Sequence, residues 1–388
     1  MNEQLLSVVL WILIFLGSVI SVEFGLSVAI VEISLGVIGG NFFGLHPTPW
    51  ITFFAGFGGI LLTFLAGAEV DTQVMKEKFK ESFLIGIASF LAPFLGAMAY
   101  CYYVLDWTPE AAKVAGVALS TTSLAVIYAV LVETGLTETK IGKIIMASCF
   151  ITDMGTALAL SVLFIEFNWL TLVFLVISAV VIAMVPRLAP KIFQRYGDRV
   201  IEPEIKFLFL ILIIFMALAK LGASHAILPA FVFGLVLSKM FSANRLLQRR
   251  LRVVAFAFVT PFFFINGGMN VSLELLLANF GLLVQMLLVK QVTKIFGTYP
   301  FAKKYAPKDA MYTTLLMSTG LTMGTISSVF GLQAGYLSQA QFSVLVATVV
   351  LSAIIPTVIA QRWFQPQMEF VETEEIKGPV TLLNGEGN

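Results

Sequence analysis

Charge is what this chain has least of. Lys, Arg, Asp and Glu make up 12% of its 388 residues, about half the share found in an ordinary soluble domain. So few charges cannot clothe a water-facing surface, and with 59% hydrophobic residues the expected solvent for most of the chain is lipid. The net charge is +1, and there is no arginine-rich arm, so nucleic acid is excluded as a partner. Cysteine and histidine are equally scarce. Cys101 and Cys149 both fall in apolar runs and read as inert core thiols rather than a disulfide or metal pair. His46 and His225 fall at segment ends without a second histidine or cysteine at ligand spacing, which argues against a metal site. No Ser/His/Asp or Cys/His arrangement and no phosphate loop occurs. No cofactor is expected, and no enzyme chemistry.

Long apolar runs are what the chain does have. A helix crossing a hydrocarbon core about 30 Å thick needs about 20 mainly apolar residues. Segments of that kind lie near 5–22, 25–39, 50–68, 82–104, 110–132, 139–165 and 168–186, then 205–221, 225–241, 252–271, 275–297, 309–332 and 339–362. The runs lack the period-two alternation of barrel strands. The expected fold is an all-α polytopic membrane protein of about thirteen transmembrane helices. Met1-Asn2-Glu3-Gln4 has no basic n-region, so 5–22 is expected to be a retained span.

Loop charges give the orientation, because cytoplasmic loops are rich in Lys and Arg. Basic clusters follow every second segment: Lys76, Lys78 and Lys80; Lys140 and Lys143; Arg187, Lys191, Arg195 and Arg199; Arg245, Arg249, Arg250 and Arg252; Lys303, Lys304 and Lys308. The alternate loops carry little beyond Glu166 and Glu274, with Lys113 and Lys220 as mild exceptions. The pattern fits an N-terminus outside and a C-terminus in the cytoplasm of a prokaryotic inner membrane. The stretch 187–204 divides the chain into two halves, and a short acidic tail, 364–388, follows the last span. No strand with a glycine-rich turn marks a nucleotide-sensing module.

Asp153 is the only ionisable residue in the apolar part of the sixth segment. A carboxylate at that depth costs about 2.5–3.5 kcal/mol on insertion scales and usually faces a water-filled cavity or a partner. Desolvation disfavours the charged form, so such a group binds either a proton or a cation but not both well. Competition of that kind is all the chemistry an antiporter needs. Thr152 beside it fits either a hydroxyl ligand or a bond back to its own helix. The eleventh segment carries Lys290 and Lys294, one turn apart. Asp153 and Lys294 each lie roughly 13–15 Å from a basic flank, so Lys294 is expected to pair with Asp153 when no cation is bound; Lys290 would sit deeper.

Two spans contain hydroxyl- and glycine-rich runs: Gly116 to Ser123, including Thr121 and Thr122, and Ser318 to Thr325, including Thr319 and Thr322. One such run is more simply read as small residues packing helices closely. A pair at matching places in two halves points to broken crossing helices around a midplane site, and to inverted repeats. Glu32, Glu69 and Asp71 fit either a funnel lining or a contact with a neighbouring helix.

With Ile151-Thr152-Asp153 in mid-membrane, Thr121-Thr122-Ser123 before it and Lys294-x-x-Gly297 after it, the chain resembles the monovalent cation:proton antiporters of the NhaA/NapA and KefC kind. Phe262–Met269 and Leu228–Gly234 resemble the family's tenth and ninth segments. The resemblance implies a homodimer and an elevator-like mechanism. Residues 82–165 and 275–363 would form the moving core, 1–81 and 205–271 the dimerisation part, and 168–204 a linker helix and loop. It also implies that Asp153 carries the ion and that Lys294 pairs with acidic groups. NapA-like members have a second aspartate where this chain has Thr152, and an arginine and a glutamate where it has Gly320 and Thr322. KefC-like members have glutamine at the Thr152 position and a regulatory nucleotide domain. The site therefore carries one negative charge fewer than the NapA pattern, which leaves Na⁺ against K⁺, and one proton against two, open.

The expected function is exchange of a monovalent cation for H⁺, Na⁺ first and K⁺ second. Asp153 carries the ion, and Thr152, Thr121, Thr122, Ser123, Thr319 and Thr322 supply oxygens, which suit a hard cation. The rivals are a cation channel lined by the two broken segments and a non-transporting sensor that keeps the fold.

Overall fold

The computed structural model describes residues 3–70, 78–137, 139–164, 169–197, 199–221 and 226–366. Lys76, Asp71, Glu166, His225 and all but the start of the acidic tail lie outside them. The described chain is helical throughout, without a strand. Helices α1 (Glu3–Phe24), α2 (Val28–Phe42) and α3 (Pro49–Ala68) come first. They are followed by α4 (Phe79–Tyr103), α5 (Pro109–Ser120), α6 (Leu124–Glu133) and α7 (Lys140–Leu163). Next are α8 (Trp169–Tyr196), α9 (Pro203–Leu221), α10 (Ile227–Ala243) and α11 (Arg245–Val254). A π-helical turn, Ala255–Val259, joins α11 to α12 (Thr260–Met269). The chain ends with α13 (Leu273–Ala278), α14 (Phe280–Tyr305), α15 (Ala310–Met317), α16 (Thr322–Gln333) and α17 (Gln339–Trp363).

Ten helical stretches among the described residues are long and apolar enough to cross a bilayer, counting α5–α6, α11–α12 and α15–α16 as one each. Helices α2 and α10 are apolar but shorter. Each expected apolar segment falls on a helix, with three larger shifts at the ends; the eleventh, expected over 275–297, divides into α13 and α14 and runs on to Tyr305. The seventh runs on through Pro186 and Pro190 to Tyr196, so the basic stretch after 186 is helix as far as Tyr196. The tenth begins at Arg245, because Asn244 accepts a hydrogen bond from the Leu247 amide at 3.0 Å and starts the helix there.

Side-chain caps set the other ends in the same way. Thr108 accepts from the Ala111 amide ahead of Pro109, and Thr139 accepts from the Gly142 amide. Ser338 and Gln341 form a reciprocal capping box for α17. The closest helix crossings use glycine on both sides. A Cβ on Gly67 would run into the Phe231 carbonyl, and one on Gly234 into the Phe64 carbonyl, where α3 crosses α10. Gly36 and Gly268 do the same for α2 and α12. Without a hydrophobic drive between helices in lipid, such close backbone contact is how they associate.

Packing gathers the helices into two sets. Helix α4 packs on α5, α7 and α14, while α5 packs on α16 and α17. In the other set α3 packs on α10 and α12, and α2 on α1 and α12. Helices α7 and α10 touch across the boundary, as do α3 and α7. The candidate site lies at that boundary.

Candidate functional site

Three helical stripes face one cavity of ≈ 640 Å³. From α3 come Leu62, Leu65, Ala66 and, just past its end, Glu69; from α7 come Lys143, Ala147, Phe150 and Asp153; from α11 come Arg245, Gln248 and Arg252. Spacings of three and four residues put each set on one helix face. The break before α6 adds Thr122, and α16 adds its first residue, Thr322. Lys143 and Asp153 lie on the same helix ten residues apart, so the cavity wall descends ~15 Å from the basic rim to the carboxylate. Arg245 at the rim is exposed.

Asp153 is only 3% exposed, yet it lines the cavity, and its Oδ1 accepts no hydrogen bond from the described residues. A buried acceptor left unpaired costs about 1–3 kcal/mol, which a bound proton or cation relieves. The carboxylate is therefore neither sealed away from water nor consumed by a structural contact.

Both hydroxyl-rich runs break their helices. Chain 121–123 separates α5 from α6, with Thr121 extended at φ −67°, ψ 155°, and chain 318–321 separates α15 from α16. Hydroxyls in these runs bond the backbone in place of the regular ladder. Ser120 and Thr121 donate to the Val117 and Ala118 carbonyls at 2.8 and 3.0 Å. Thr319 donates to the Leu316 carbonyl at 2.7 Å. The two breaks also hold each other: the Ser123 amide donates to the Thr319 carbonyl at 3.1 Å, and Thr122 donates to the Met317 carbonyl at 2.9 Å.

Among the residues expected from sequence, Asp153, Thr122 and Thr322 share the cavity. Thr121, Ser123 and Thr319 are buried in the crossing of the breaks. The Thr152 hydroxyl turns back to its own helix, donating to the Cys149 carbonyl at 2.7 Å; of the two options open at that position, this structure takes the helix bond. The Lys294 side chain is fully buried and does not snorkel. It donates to the hydroxyls of Ser89 and Thr122, each at 3.0 Å, rather than to Asp153.

Ser89, on α4, was not singled out from sequence; its signal was a lone hydroxyl in an otherwise apolar turn. Lys290 is also fully buried, and its Nζ has no hydrogen-bond partner among the described residues. It lies over Gly320, where a Cβ would collide with it. Arg252 at the rim pairs with Glu69 through Nε and Oε1 at 2.8 Å. Glu32 is buried on α2 beside Gly17, apart from this cavity, and its Oε2 has no hydrogen-bond partner among the described residues. His46 is exposed in the turn between α2 and α3.

The arrangement suits a reversible choice between a proton and a small cation at one carboxylate, beside two helix breaks and a buried ammonium. Comparison with known proteins gives the family and the fold. A family model described as "Sodium/hydrogen exchanger, transmembrane" matches residues 9–365. Probable Na(+)/H(+) antiporter 3 of Methanocaldococcus jannaschii is 26% identical over 352 residues, covering 87% of this chain and 89% of that protein. The Na(+)/H(+)-K(+) antiporter GerN of Bacillus cereus is 23% identical over 322 residues, covering 80% of this chain and 82% of that protein. The structure of the sodium proton antiporter MjNhaP1, also from M. jannaschii, superposes with a TM-score of 0.65 at 14% identity over 93% of this chain and 97% of that one; at that identity the likeness is one of fold.

Proposed function

The chain belongs to the sodium/hydrogen exchanger family, and on that premise we propose that it exchanges a monovalent cation for protons across the membrane, with Asp153 as the carrier. The observation that carries this reading is the buried Oδ1 of Asp153, without a partner among the described residues, on the wall of a cavity that runs to the basic rim. Membership puts the protein among transporters rather than enzymes.

In the proposed cycle, a cation enters from the rim and binds ionised Asp153, with the Thr122 and Thr322 oxygens in reach of the same space. The core helices then move against the rest, the cation leaves, and a proton returns on the carboxylate. A neutralised carboxylate crosses cheaply and a bare one does not, which couples the two fluxes. Two helix sets meeting at the site favour an elevator-like movement of α4–α7 and α14–α17 against α1–α3 and α9–α12. The basic rim favours a cytoplasmic opening. Lys294 exchanges its hydroxyl partners for Asp153 when the cation has gone. Thr152, with its hydroxyl turned to Cys149, enters the cation shell only by rotating. The exposed apolar faces of α1 and α8 leave room for lipid and for a second copy in a homodimer.

Na⁺ is the first candidate, because sodium appears in the names of both relatives above. K⁺ is the second, favoured by the single carboxylate and by the name of GerN. Antiport in proteoliposomes, compared for Na⁺, K⁺ and Li⁺ over pH, tests the proposal. Cation-dependent proton flux driven in either direction is expected. A current insensitive to the proton gradient would replace the antiporter with a channel, and cation binding without flux would replace it with a sensor.

A further inference from the structure

A cation heading for Asp153 meets positive charge first. Lys143, Arg245 and Arg252 all line the cavity, and among its described lining residues only Glu69 joins Asp153 as a carboxylate. Glu69 sits at the C-terminal end of α3, its amide bonded to the Leu65 carbonyl at 2.9 Å. The helix carbonyls there add partial negative charge. Its carboxylate is held by Arg252 at 2.8 Å, and the two ends of this pair differ: the arginine side chain is 43% exposed and the glutamate 17%. The guanidinium can therefore swing into water at little cost, whereas the carboxylate stays on the cavity wall.

We propose that Glu69 is an outer cation station on the way to Asp153, with Arg252 as a resident counter-ion that the entering cation displaces. The proposal rests on the antiport reading above. A static clip would also place an arginine on a glutamate, joining α3 to α11. The two roles differ in sign. A station loses cation affinity when the carboxylate goes and gains it when the competing guanidinium goes; a clip is weakened alike by either loss.

The station needs nothing new in composition, only an ion pair weak enough to exchange. The arginine end of the pair is open to water, where its attraction is screened, so a metal ion at millimolar concentration competes with the guanidinium. Without Glu69 the described residues that line the cavity outside Asp153 hold three cationic side chains and no carboxylate. Entry then works against like charge, which at the short distances of a narrow cavity changes occupancy by about tenfold or more.

The test uses the full-length chain in proteoliposomes, with Na⁺ and K⁺ titrated at fixed pH, and equilibrium binding of radiolabelled sodium to the purified protein in detergent. Glu69→Gln is expected to raise KM about tenfold with kcat within about twofold of wild type, and Arg252→Gln to lower KM several-fold. Arg252→Lys, which keeps the charge but loses Nε, is expected to lower KM less, and it serves if either neutral variant fails to fold. Shifts of the same sign in the two neutral variants, or a wild-type KM in all three, overturn the station. If the wild type exchanges no ions, the antiport reading fails by itself. The binding measurement then still decides the station: weaker sodium binding in Glu69→Gln with tighter binding in Arg252→Gln supports it, and equal affinities refute it.

Discussion

Replacing Asp153 by asparagine keeps the shape of the side chain and removes one charge, so its consequences follow from the setting of that charge. A carboxylate and a monovalent cation about 4 Å apart attract by about 4 kcal/mol at an effective dielectric near 20, which corresponds to about a thousandfold in affinity. The side chain is 3% exposed and its Oδ1 has no partner among the described residues, so the same substitution removes the cost of burying an uncompensated charge. Asp153→Asn is therefore expected to abolish cation-dependent proton flux while raising the melting temperature of the cation-free protein. A bound ion stabilises a fold by mass action, so sodium should raise the melting temperature of the wild type and leave the variant unmoved. Everted vesicles with a pH-sensitive dye measure the flux, and thermal denaturation in detergent measures the rest. Exchange within tenfold of wild type would remove Asp153 as the carrier, and a lower melting temperature would make it a structural acceptor.

Four further outcomes can be checked. Lys294→Met removes the donor to Ser89 and Thr122 and should change the pH profile or voltage response of antiport; an identical profile would leave the ammonium without a part in the cycle. Thr122→Val loses the bond to the Met317 carbonyl and the one from Lys294, so it should cost about 1–3 kcal/mol. Thr121→Val loses a bond inside its own turn and should cost less, with the two compared by thermal denaturation. Lys290→Met replaces a buried amine that has no acceptor among the described residues, so the melting temperature should rise; a fall would reveal a partner. Burial pushes the Glu69 carboxyl above its ordinary range, and Arg252 partly opposes this. Glu69 therefore takes up a proton at higher pH than a free glutamate, and KM for the cation should climb as pH falls. Glu69→Gln should flatten that limb.

Hydrophobic runs of span length and alternating basic loops follow from solvation and insertion, which act on each segment by itself. For that reason the helices, Asp153 and the two interrupted spans were legible before any contact was known. The ends shifted where a local cap or a tolerated proline decided them, as at Asn244 and across Pro186 and Pro190. The partners were harder to read. Asp153 and Lys294 were matched by depth, which is a coordinate along the membrane and says nothing about rotation around a helix axis. The rotation in this structure turns Lys294 to Ser89, 205 positions away, and Thr152 to its own backbone.

What the sequence determined by itself is the class of solvent, the helical architecture, the mid-membrane carboxylate of the sixth segment and the two breaks. Each is a property of a short stretch and its transfer free energy. What the tertiary structure alone decided is which of these share a space: that Asp153, Thr122, Thr322, Glu69 and Arg252 line one cavity, that Lys290 lies over Gly320 with no acceptor among the described residues, and that Arg252 closes on Glu69. Those relations depend on how helices distant in the chain rotate and cross, and glycine contacts such as Gly67 with Gly234 set that by letting backbones touch.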